Sequence, residues 1–186
     1  MRIVAGRHRG RALQAPEGNA VRPTSDRARE ALFNILAHRG MGGVPAFLDA
    51  EVLDAFAGTG ALGLEALSRG AHRAFFIEND TDARAALRLN IDKLGETDRC
   101  RILAADARKP PHAIAPCNLV FLDPPYGKDL PAPTLTALAL AGWIAPGAIC
   151  VVEMGAKESF EAPAGFILLD ERRYGAARLV ILRGVG

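Results

Sequence analysis

Cysteine is scarce in this 186-residue sequence, and neither its cysteines nor its four histidines have the spacing of a metal site. The three cysteines, Cys100, Cys117 and Cys150, are an odd number, and each lies beside or within an apolar run. Such positions suit buried, reduced thiols better than disulfide bridges or metal ligands. We therefore expect a cytoplasmic protein with no bound metal, rather than a disulfide-stapled secreted domain.

Long hydrophobic runs are also lacking. No apolar stretch approaches the roughly 20 residues that a membrane-spanning helix needs. Residues 1–4 do not begin a charged and then apolar leader. We therefore expect no membrane association. With 49% hydrophobic residues, the chain is long enough to bury the core of one globular domain.

Positive charge is concentrated at one end of the chain. Residues 1–40 contain eight arginines and three acids, a net charge of +5, whereas the remaining residues carry a net charge of −3. A basic arm on a mildly acidic body is the pattern expected of a protein that binds nucleic acid. An ordinary solvated surface strip is the alternative explanation.

Hydrophobic periodicity predicts an α/β domain with a small N-terminal extension. Extended stretches at 2–5 and 11–14 predict a β-hairpin, and a helix is predicted from about residue 26 to residue 37. Strand and helix patterns then alternate, which indicates a parallel sheet with helices on both faces. The predicted strands are 52–56, 74–78, 101–104, 119–122 and 148–153, with helices at 61–68, 81–94 and 130–141. Two final strands, 166–172 and 177–182, are joined by so short a link that an antiparallel hairpin is expected.

The tetrapeptide Asp123-Pro124-Pro125-Tyr126 directly follows an apolar run that predicts a buried strand. Each proline fixes its own φ and holds the preceding residue in an extended conformation. The Asp123 carboxylate and the Pro124 carbonyl can then accept hydrogen bonds from one amine, and Tyr126 offers a face on which a base can stack. We predict that these four residues, called the clamp below, are catalytic. A proline-rich loop with a capping aspartate is the alternative.

A glycine-rich loop follows the first strand of the alternating region. Gly58, Gly60 and Gly63 fit the pattern G-x-G-x-x-G and open a helix whose free N–H groups can bind a nucleoside cofactor. Glu78 ends the next predicted strand, where a carboxylate can accept from both ribose hydroxyls. A dinucleotide-binding oxidoreductase would show the same features, so the loop alone does not distinguish its cofactor.

Three observations favour S-adenosylmethionine over NAD. Asp54 lies four residues before Gly58. Asp106, with the backbone N–H of Ala107, follows the third strand, where an adenine edge would lie. The clamp that begins at Asp123 has no task in hydride transfer, and an NAD-dependent enzyme of this length would lack room for a substrate domain.

Taken in order, these motifs are similar to those of the class I S-adenosylmethionine-dependent amino-methyltransferases. The chain resembles the RsmD family more closely, whose bacterial members methylate guanine N2 in 16S ribosomal RNA. The arginine-rich N-terminus distinguishes this family, and the resemblance covers nearly the whole chain. The resembling segments are 2–6, 9–11, 22–34 and 56–70.

The resemblance implies a Rossmann-like class I methyltransferase fold. Its seven-stranded, mostly parallel sheet would end in an antiparallel hairpin. Residues 1–40 would form a hairpin-and-helix extension that covers the cofactor and binds RNA, and residues 41–186 would form the methyltransferase domain. The expected RNA-binding residues are Arg7, Arg9 and Arg11. The expected S-adenosylmethionine-binding residues are Arg22, Thr24, Asp54, Phe56, Ala57, Gly58, Gly60, Glu78, Asn79, Asp106 and Ala107.

The implied reaction is transfer of a methyl group to the N2 amine of a guanine in 16S rRNA. The expected partner is this rRNA within a small-subunit assembly particle, and the expected state is a monomer. One alternative is the same fold acting on adenine N6, cytosine N4 or a protein glutamine amide, although such enzymes more often carry Asn-Pro-Pro-Tyr. A non-catalytic rRNA-binding assembly factor is a second alternative.

Overall fold

The computed structural model describes residues 1–15, 26–40 and 43–185, and its strands form one seven-stranded sheet. The helices are α1 (Asp26–Leu36), α2 (Ala61–Ser68), α3 (Thr81–Leu94) and α4 (Pro131–Leu140). The strands are β1 (Glu51–Ala55), β2 (Arg73–Ile77), β3 (Cys100–Leu103), β4 (Cys117–Leu122), β5 (Ile144–Gly155), β6 (Phe166–Tyr174) and β7 (Ala177–Gly184). These bounds lie close to those that the periodicity predicts.

The strands lie in the order β3-β2-β1-β4-β5-β7-β6. Strands β1 to β5 are parallel to one another, and β7 pairs antiparallel with both β5 and β6. This arrangement confirms the predicted Rossmann-like class I fold, including the antiparallel hairpin at its end.

Strand β5 is longer than predicted because it contains an irregularity that resembles a turn in sequence. Its pairing with β4 begins at Ile144, and the register shifts before it resumes at Ile149. Pro146 and Gly147 lie in this interval, and Gly147 has a positive φ of 78°. Proline followed by glycine predicts a turn, so the sequence pattern placed the start of the strand after the bulge.

The sheet separates two apolar clusters because successive side chains of a strand point to opposite faces. On one face, Val52 packs with residues of α1, α2 and α3. On the other face, Leu53 packs with residues of α4 and with Trp143. Trp143 is fully buried, and its ring lies edge-on to Phe75 with the ring centroids 5.4 Å apart. The sheet is therefore anchored from both sides, which fixes the positions of the loops at its edges.

The N-terminal hairpin packs against the sheet domain. Its two extended segments meet at an isolated antiparallel bridge between Arg2 and Ala12, which confirms the predicted hairpin, and Ile3 is fully buried in the core. The backbone N–H groups of Val4 and Ala5 donate to the buried Glu65 carboxylate at 2.7 and 3.0 Å. The division of the chain at residue 40 stays a prediction, but the hairpin shares the core of the body.

The three cysteines are buried free thiols, as predicted. Burial raises the pKa of Cys100 and of Cys150 to about 12, so neither is a reactive thiolate at neutral pH. Within the described part of the chain, no helix combines the length and the apolar character that crossing a membrane requires.

Candidate active site

The carboxyl ends of the parallel strands are aligned in one row. Ala55 of β1 pairs with Ile77 of β2 and with Leu122 of β4, and Leu122 pairs with Val152 of β5. The residue that comes directly after each of these four paired residues therefore lies at the same edge of the sheet. These residues are Phe56, Glu78, Asp123 and Glu153.

The order of the strands reverses at β1 and β4, which are neighbours at the centre of the sheet. β2 and β3 lie beyond β1, whereas β5 lies beyond β4. Open α/β sheets bind ligands at the carboxyl ends of their strands at such a reversal. The loops there are the glycine loop (residues 56–60) and the clamp, so the fold brings together two motifs that are far apart in sequence.

The glycines of the G-x-G-x-x-G motif, Gly58, Gly60 and Gly63, serve two different purposes. Gly58 has a φ of 53°, and a Cβ atom added there would have no neighbour within 4 Å. A Cβ atom at Gly60 would come within 2.3 Å of Leu87, and one at Gly63 within 2.5 Å of the Phe76 ring. Gly60 and Gly63 therefore let α2 pack closely on the core, whereas Gly58 leaves backbone open to a ligand.

Phe56 begins the glycine loop in an unusual conformation. Its φ of 63° is left-handed, which costs a residue with a Cβ atom about 1–2 kcal/mol. The next residue holds the loop to β2 because the Ala57 N–H donates to the Ile77 carbonyl at 3.1 Å. Backbone strain of this kind is concentrated at functional sites in proteins.

The Glu78 carboxylate fastens the glycine loop to the end of β2. One oxygen accepts from the Gly58 N–H at 2.7 Å, and the other accepts from the Asp80 N–H at 2.8 Å. The side chain is only partly buried, and each carboxylate oxygen can accept a further hydrogen bond. The geometry therefore suits the predicted contact with ribose hydroxyls.

Asp54 lies beneath the glycine loop. Its carboxylate is 2% exposed and accepts from the Gly63 N–H at 2.9 Å, in the first turn of α2. Burial raises the pKa of Asp54 to about 7, the Gly63 hydrogen bond opposes this shift, and the charge of Glu78 adds to it. Asp54 was predicted to bind the cofactor. The contact that the structure shows for its carboxylate is this hydrogen bond to the backbone of α2, just after the glycine loop.

The loop after β3 carries the predicted adenine contacts. The Arg108 guanidinium makes an ion pair with Asp106 at 2.5 Å, and its hydrogen bonds lower the pKa of that carboxyl. Ala107 is buried and Asn79, after β2, is exposed. An adenine amine at this position would have to share Asp106 with Arg108.

The clamp combines a half-buried carboxylate with a fixed aromatic ring. Asp123 and Tyr126 are partly buried, Pro124 is buried and Pro125 is exposed. The Tyr126 hydroxyl donates to Glu153 Oε1 of β5 at 2.8 Å. The ring is therefore held at its phenol end as well as at the backbone.

The arginines of the hairpin differ in their surroundings. Arg7 makes an ion pair at 2.5 Å with the buried Glu96, which also contacts His8 and Arg99. Arg9 and Arg11 are exposed. Arg22 and Thr24, two of the predicted cofactor residues, lie outside the described residues. Arg7 is exposed as well, so all three arginines offer accessible positive charge, and Arg7 also joins the hairpin to the body.

Asn90 of α3 connects the hairpin to the glycine loop, and sequence reasoning missed it. Its side-chain amide donates to the carbonyls of Thr59 and Gln14, both at 3.0 Å, and its oxygen accepts from the Gln14 N–H at 2.7 Å. A signal was available, because Asn90 falls on the apolar stripe of α3 between Leu87 and Ile91. A polar side chain on such a stripe needs buried hydrogen-bond partners.

Glu153 was also missed. It directly follows the apolar run 149–152 of β5, as Glu78 directly follows β2, and it lies one residue beyond the Leu122–Val152 pair, as Asp123 does. An acid at the carboxyl end of a predicted parallel strand is therefore the signal that could have indicated it.

Comparison with known proteins places the chain among methyltransferase relatives. The family model described as "Conserved hypothetical protein 95" matches residues 1–183. "Ribosomal RNA small subunit methyltransferase D" of Escherichia coli (strain K12) is 39% identical over 182 residues, which cover 94% of this chain and 85% of that protein. The Haemophilus influenzae protein of the same name is 34% identical over 179 residues, which cover 94% of this chain and 89% of that protein.

The same similarity is found among solved structures. A structure named "Putative methyltransferase yhhF from Escherichia coli" superposes with a TM-score of 0.85 at 37% sequence identity. The match covers 100% of this chain and 98% of the solved one. The hairpin, the sheet and both central loops therefore all fall within the matched region.

Proposed function

This chain belongs to the RsmD family, and on this basis we propose that it transfers the methyl group of S-adenosylmethionine to the exocyclic N2 of a guanine in 16S ribosomal RNA. One observation carries the proposal: the glycine loop and the clamp lie side by side at the reversal of strand order. A methyl donor and an acceptor amine bound to these two loops would meet between β1 and β4. Neither loop alone would specify this reaction.

The residues of the glycine loop fit the nucleoside part of S-adenosylmethionine. The space above Gly58 is open, which allows a ligand to lie against the backbone. Glu78 can accept from ribose hydroxyls while it holds the Gly58 N–H. Asp106 and the backbone of Ala107 would contact the adenine, and Phe56, Ala57, Gly60 and Asn79 complete the proposed site. When bound, S-adenosylmethionine supplies an electrophilic methyl group on a sulfonium ion.

Asp123 and Pro124 prepare the amine that accepts the methyl group. The guanine N2 amine is a poor nucleophile because its lone pair is delocalised into the ring. Its two hydrogens would be bound by the Asp123 carboxylate and the Pro124 carbonyl, which favours a pyramidal nitrogen with a localised lone pair. The proton leaves late along the hydrogen bond to Asp123, so catalysis is mainly positioning and electrostatics, and Asp123 need not be a strong base.

Tyr126 would bind the face of the guanine, while Pro125 keeps the loop extended. Stacking of a base on an aromatic side chain is typically worth about 1–3 kcal/mol. A paired base must leave its helix before it can enter such a site, so an unpaired nucleotide is the least costly target.

The remaining features suit an rRNA substrate. Arg7, Arg9 and Arg11 present positive charge on the surface of the hairpin, and we assign phosphate contacts to all three. The E. coli and H. influenzae relatives are named for the small ribosomal subunit. We propose that the protein acts as a monomer in the cytoplasm on an assembling small subunit.

The deciding experiment is mass spectrometry of nucleosides from 16S rRNA of a strain that lacks the gene. Loss of N2-methylguanosine, restored by the parent gene but not by an Asp123→Ala version, is the expected result. Loss of N6-methyladenosine or N4-methylcytidine instead would redirect the same chemistry to another base. Unchanged rRNA methylation together with accumulated subunit precursors would indicate a non-catalytic assembly factor.

A further inference from the structure

A buried carboxylate holds the aromatic ring of the clamp. Glu153 is 8% exposed, and its Oε1 accepts from the Tyr126 hydroxyl at 2.8 Å. A carboxylate in such a position is costly unless hydrogen bonds satisfy it, and the phenol is a donor of the right kind. The residue before it, Val152, pairs with Leu122 of β4, so Glu153 and Asp123 each follow this pair at the same edge of the sheet.

We propose that Glu153 is a positioning residue that orients the Tyr126 ring for base stacking. The proposal rests on the proposed function, because it assigns the ring a base to bind. The two prolines fix the backbone before Tyr126, but they do not restrict its side-chain torsions. A hydrogen bond at the phenol end fixes the ring at the point farthest from the backbone. Glu153 therefore provides the constraint that the prolines cannot.

A second carboxylate holds the backbone just beyond the ring. Glu158 Oε1 accepts from the N–H groups of Gly127 and Gly155, both at 3.0 Å. The guanidinium of Arg178 donates to the Glu158 carbonyl at 2.7 Å, which fixes Glu158 in turn. The clamp is thus joined to the end of β5 at its side chain and at its backbone. This arrangement lets the ring keep its orientation before a base arrives, so less entropy is lost on binding.

The test compares Glu153→Ala, Glu153→Gln, Tyr126→Phe and the double variant Glu153→Ala/Tyr126→Phe. Glu161→Ala is the matched control, because Glu161 is an exposed carboxylate in the segment that follows β5. Each protein is assayed for kcat and KM with 16S rRNA and for S-adenosylmethionine affinity by calorimetry. A structural readout comes from NMR of tyrosine labelled with ¹³C at Cζ, because Tyr126 and Tyr174 are the only tyrosines. When all variants also carry Tyr174→Phe, the remaining tyrosine signal is that of Tyr126.

Glu153→Ala should lower kcat/KM for rRNA by about tenfold, chiefly through KM, and leave cofactor affinity within about threefold. Glu153→Gln should stay within about threefold of the parent, since its amide oxygen still accepts from the phenol. The double variant should be no worse than the poorer single variant, because both changes remove the same hydrogen bond. The Cζ resonance of Tyr126 should move in Glu153→Ala and stay in place in Glu161→Ala.

Two results would overturn the proposal. Parent-like kcat/KM in Glu153→Ala would show that the hydrogen bond does not position the ring, and losses that multiply in the double variant would show that the two residues act separately. The NMR measurement does not depend on turnover. A Tyr126 resonance that stays in place in Glu153→Ala would therefore refute the interaction even if the true substrate is not 16S rRNA. Failure of the proposed function is distinguishable, since the parent itself would then not methylate 16S rRNA.

Discussion

The two loops at the centre of the sheet are held in place by different means. The glycine loop is held through its backbone, because the Gly58 N–H donates to Glu78 and the Thr59 carbonyl accepts from Asn90. The clamp is held by its prolines and by the side chains of Glu153 and Glu158. A loop that presents backbone to a cofactor needs its main chain fixed, whereas a loop that presents a carboxylate and a ring also needs side chains oriented.

The cofactor side and the acceptor side of the site therefore have separate supports. Glu78 and Asn90 stabilise the glycine loop from β2 and α3. The clamp depends on β4 and β5. Substitutions should therefore separate cofactor binding from methyl transfer.

Asp123→Ala should give the largest effect on activity, and it should leave the glycine loop and cofactor binding nearly unchanged. Removing an acceptor for the amine should abolish methyl transfer, which we set at more than about a hundredfold loss in kcat. Calorimetry should show S-adenosylmethionine affinity within a few-fold of the parent, because the glycine loop keeps its own supports. Asp123→Asn should retain more activity than Asp123→Ala, since its amide oxygen still accepts. Turnover within about tenfold of the parent, or roughly 1.4 kcal/mol of barrier, would contradict the clamp assignment.

Glu78→Ala should produce the reverse pattern. Loss of the ribose contacts and of the Gly58 N–H bond should weaken S-adenosylmethionine binding about 10- to 100-fold, or about 1.4–2.8 kcal/mol. The kcat at saturating cofactor should fall much less. Calorimetry with S-adenosylmethionine and NAD side by side is the measurement. Tight NAD binding without S-adenosylmethionine binding would overturn the cofactor assignment.

Most of the helices and strands could be predicted from the sequence because each one has its own hydrophobic period. The alternation of apolar runs and helical stripes from β1 to β4 follows directly from the periods of strands and helices. The bulge at Pro146 and Gly147 could not be predicted, because it depends on how β5 pairs with β4 rather than on β5 itself. The terminal hairpin was predictable because its link is too short for any other connection.

The site was predictable where a motif is contiguous and unpredictable where contacts are long-range. The glycine loop and the clamp are continuous segments, so their residues could be identified directly. The contacts of Asn90 with Gln14 and Thr59, and that of Glu153 with Tyr126, join residues that only the folded chain brings together. The ion pair of Arg7 with Glu96 likewise joins two residues that are far apart in sequence and meet only in the folded chain.

Asn90→Ala should loosen the cofactor side and leave the clamp in place. The change leaves the Gln14 N–H and the Thr59 carbonyl without this partner, so the free energy of unfolding should fall by about 2–3 kcal/mol. S-adenosylmethionine affinity should fall several-fold. Leu89→Ala is the control, because this side chain is 56% exposed and should change stability by less than about 0.5 kcal/mol. Equal unfolding midpoints for the two variants in urea would contradict the role given to Asn90.

The buried acid beneath the glycine loop should make stability depend on pH. Burial raises the pKa of Asp54 to about 7, whereas an unfolded aspartate has a value near 3.9. Between these values the folded protein binds the extra proton, so this contribution to stability is full below about pH 4 and is lost as the pH rises through about 7. Asp54→Asn keeps an acceptor for the Gly63 N–H and removes the titration. The stability of the parent relative to Asp54→Asn, measured by urea unfolding from pH 5 to 8, should therefore decline with pH, and a constant difference would refute the shift.

Replacing the hairpin arginines should have the smallest effect on the glycine loop and the clamp, and it should change rRNA binding instead. Arg9→Ala/Arg11→Ala should weaken rRNA binding and reduce the slope of log K against log salt by about 0.7–0.9 for each phosphate that is no longer neutralised. Cofactor affinity should not change, because both side chains are exposed on the hairpin. Adding Arg7→Ala should weaken RNA binding further, but it also removes the ion pair with Glu96, so the double variant is the cleaner probe. Arg183→Ala is the charge-matched control, since this exposed arginine pairs with Ile149 of β5, away from the carboxyl end that carries the clamp. If the double variant and this control show the same salt dependence as the parent, the hairpin charge is only a solvated surface, and the loops around the clamp must bind the RNA.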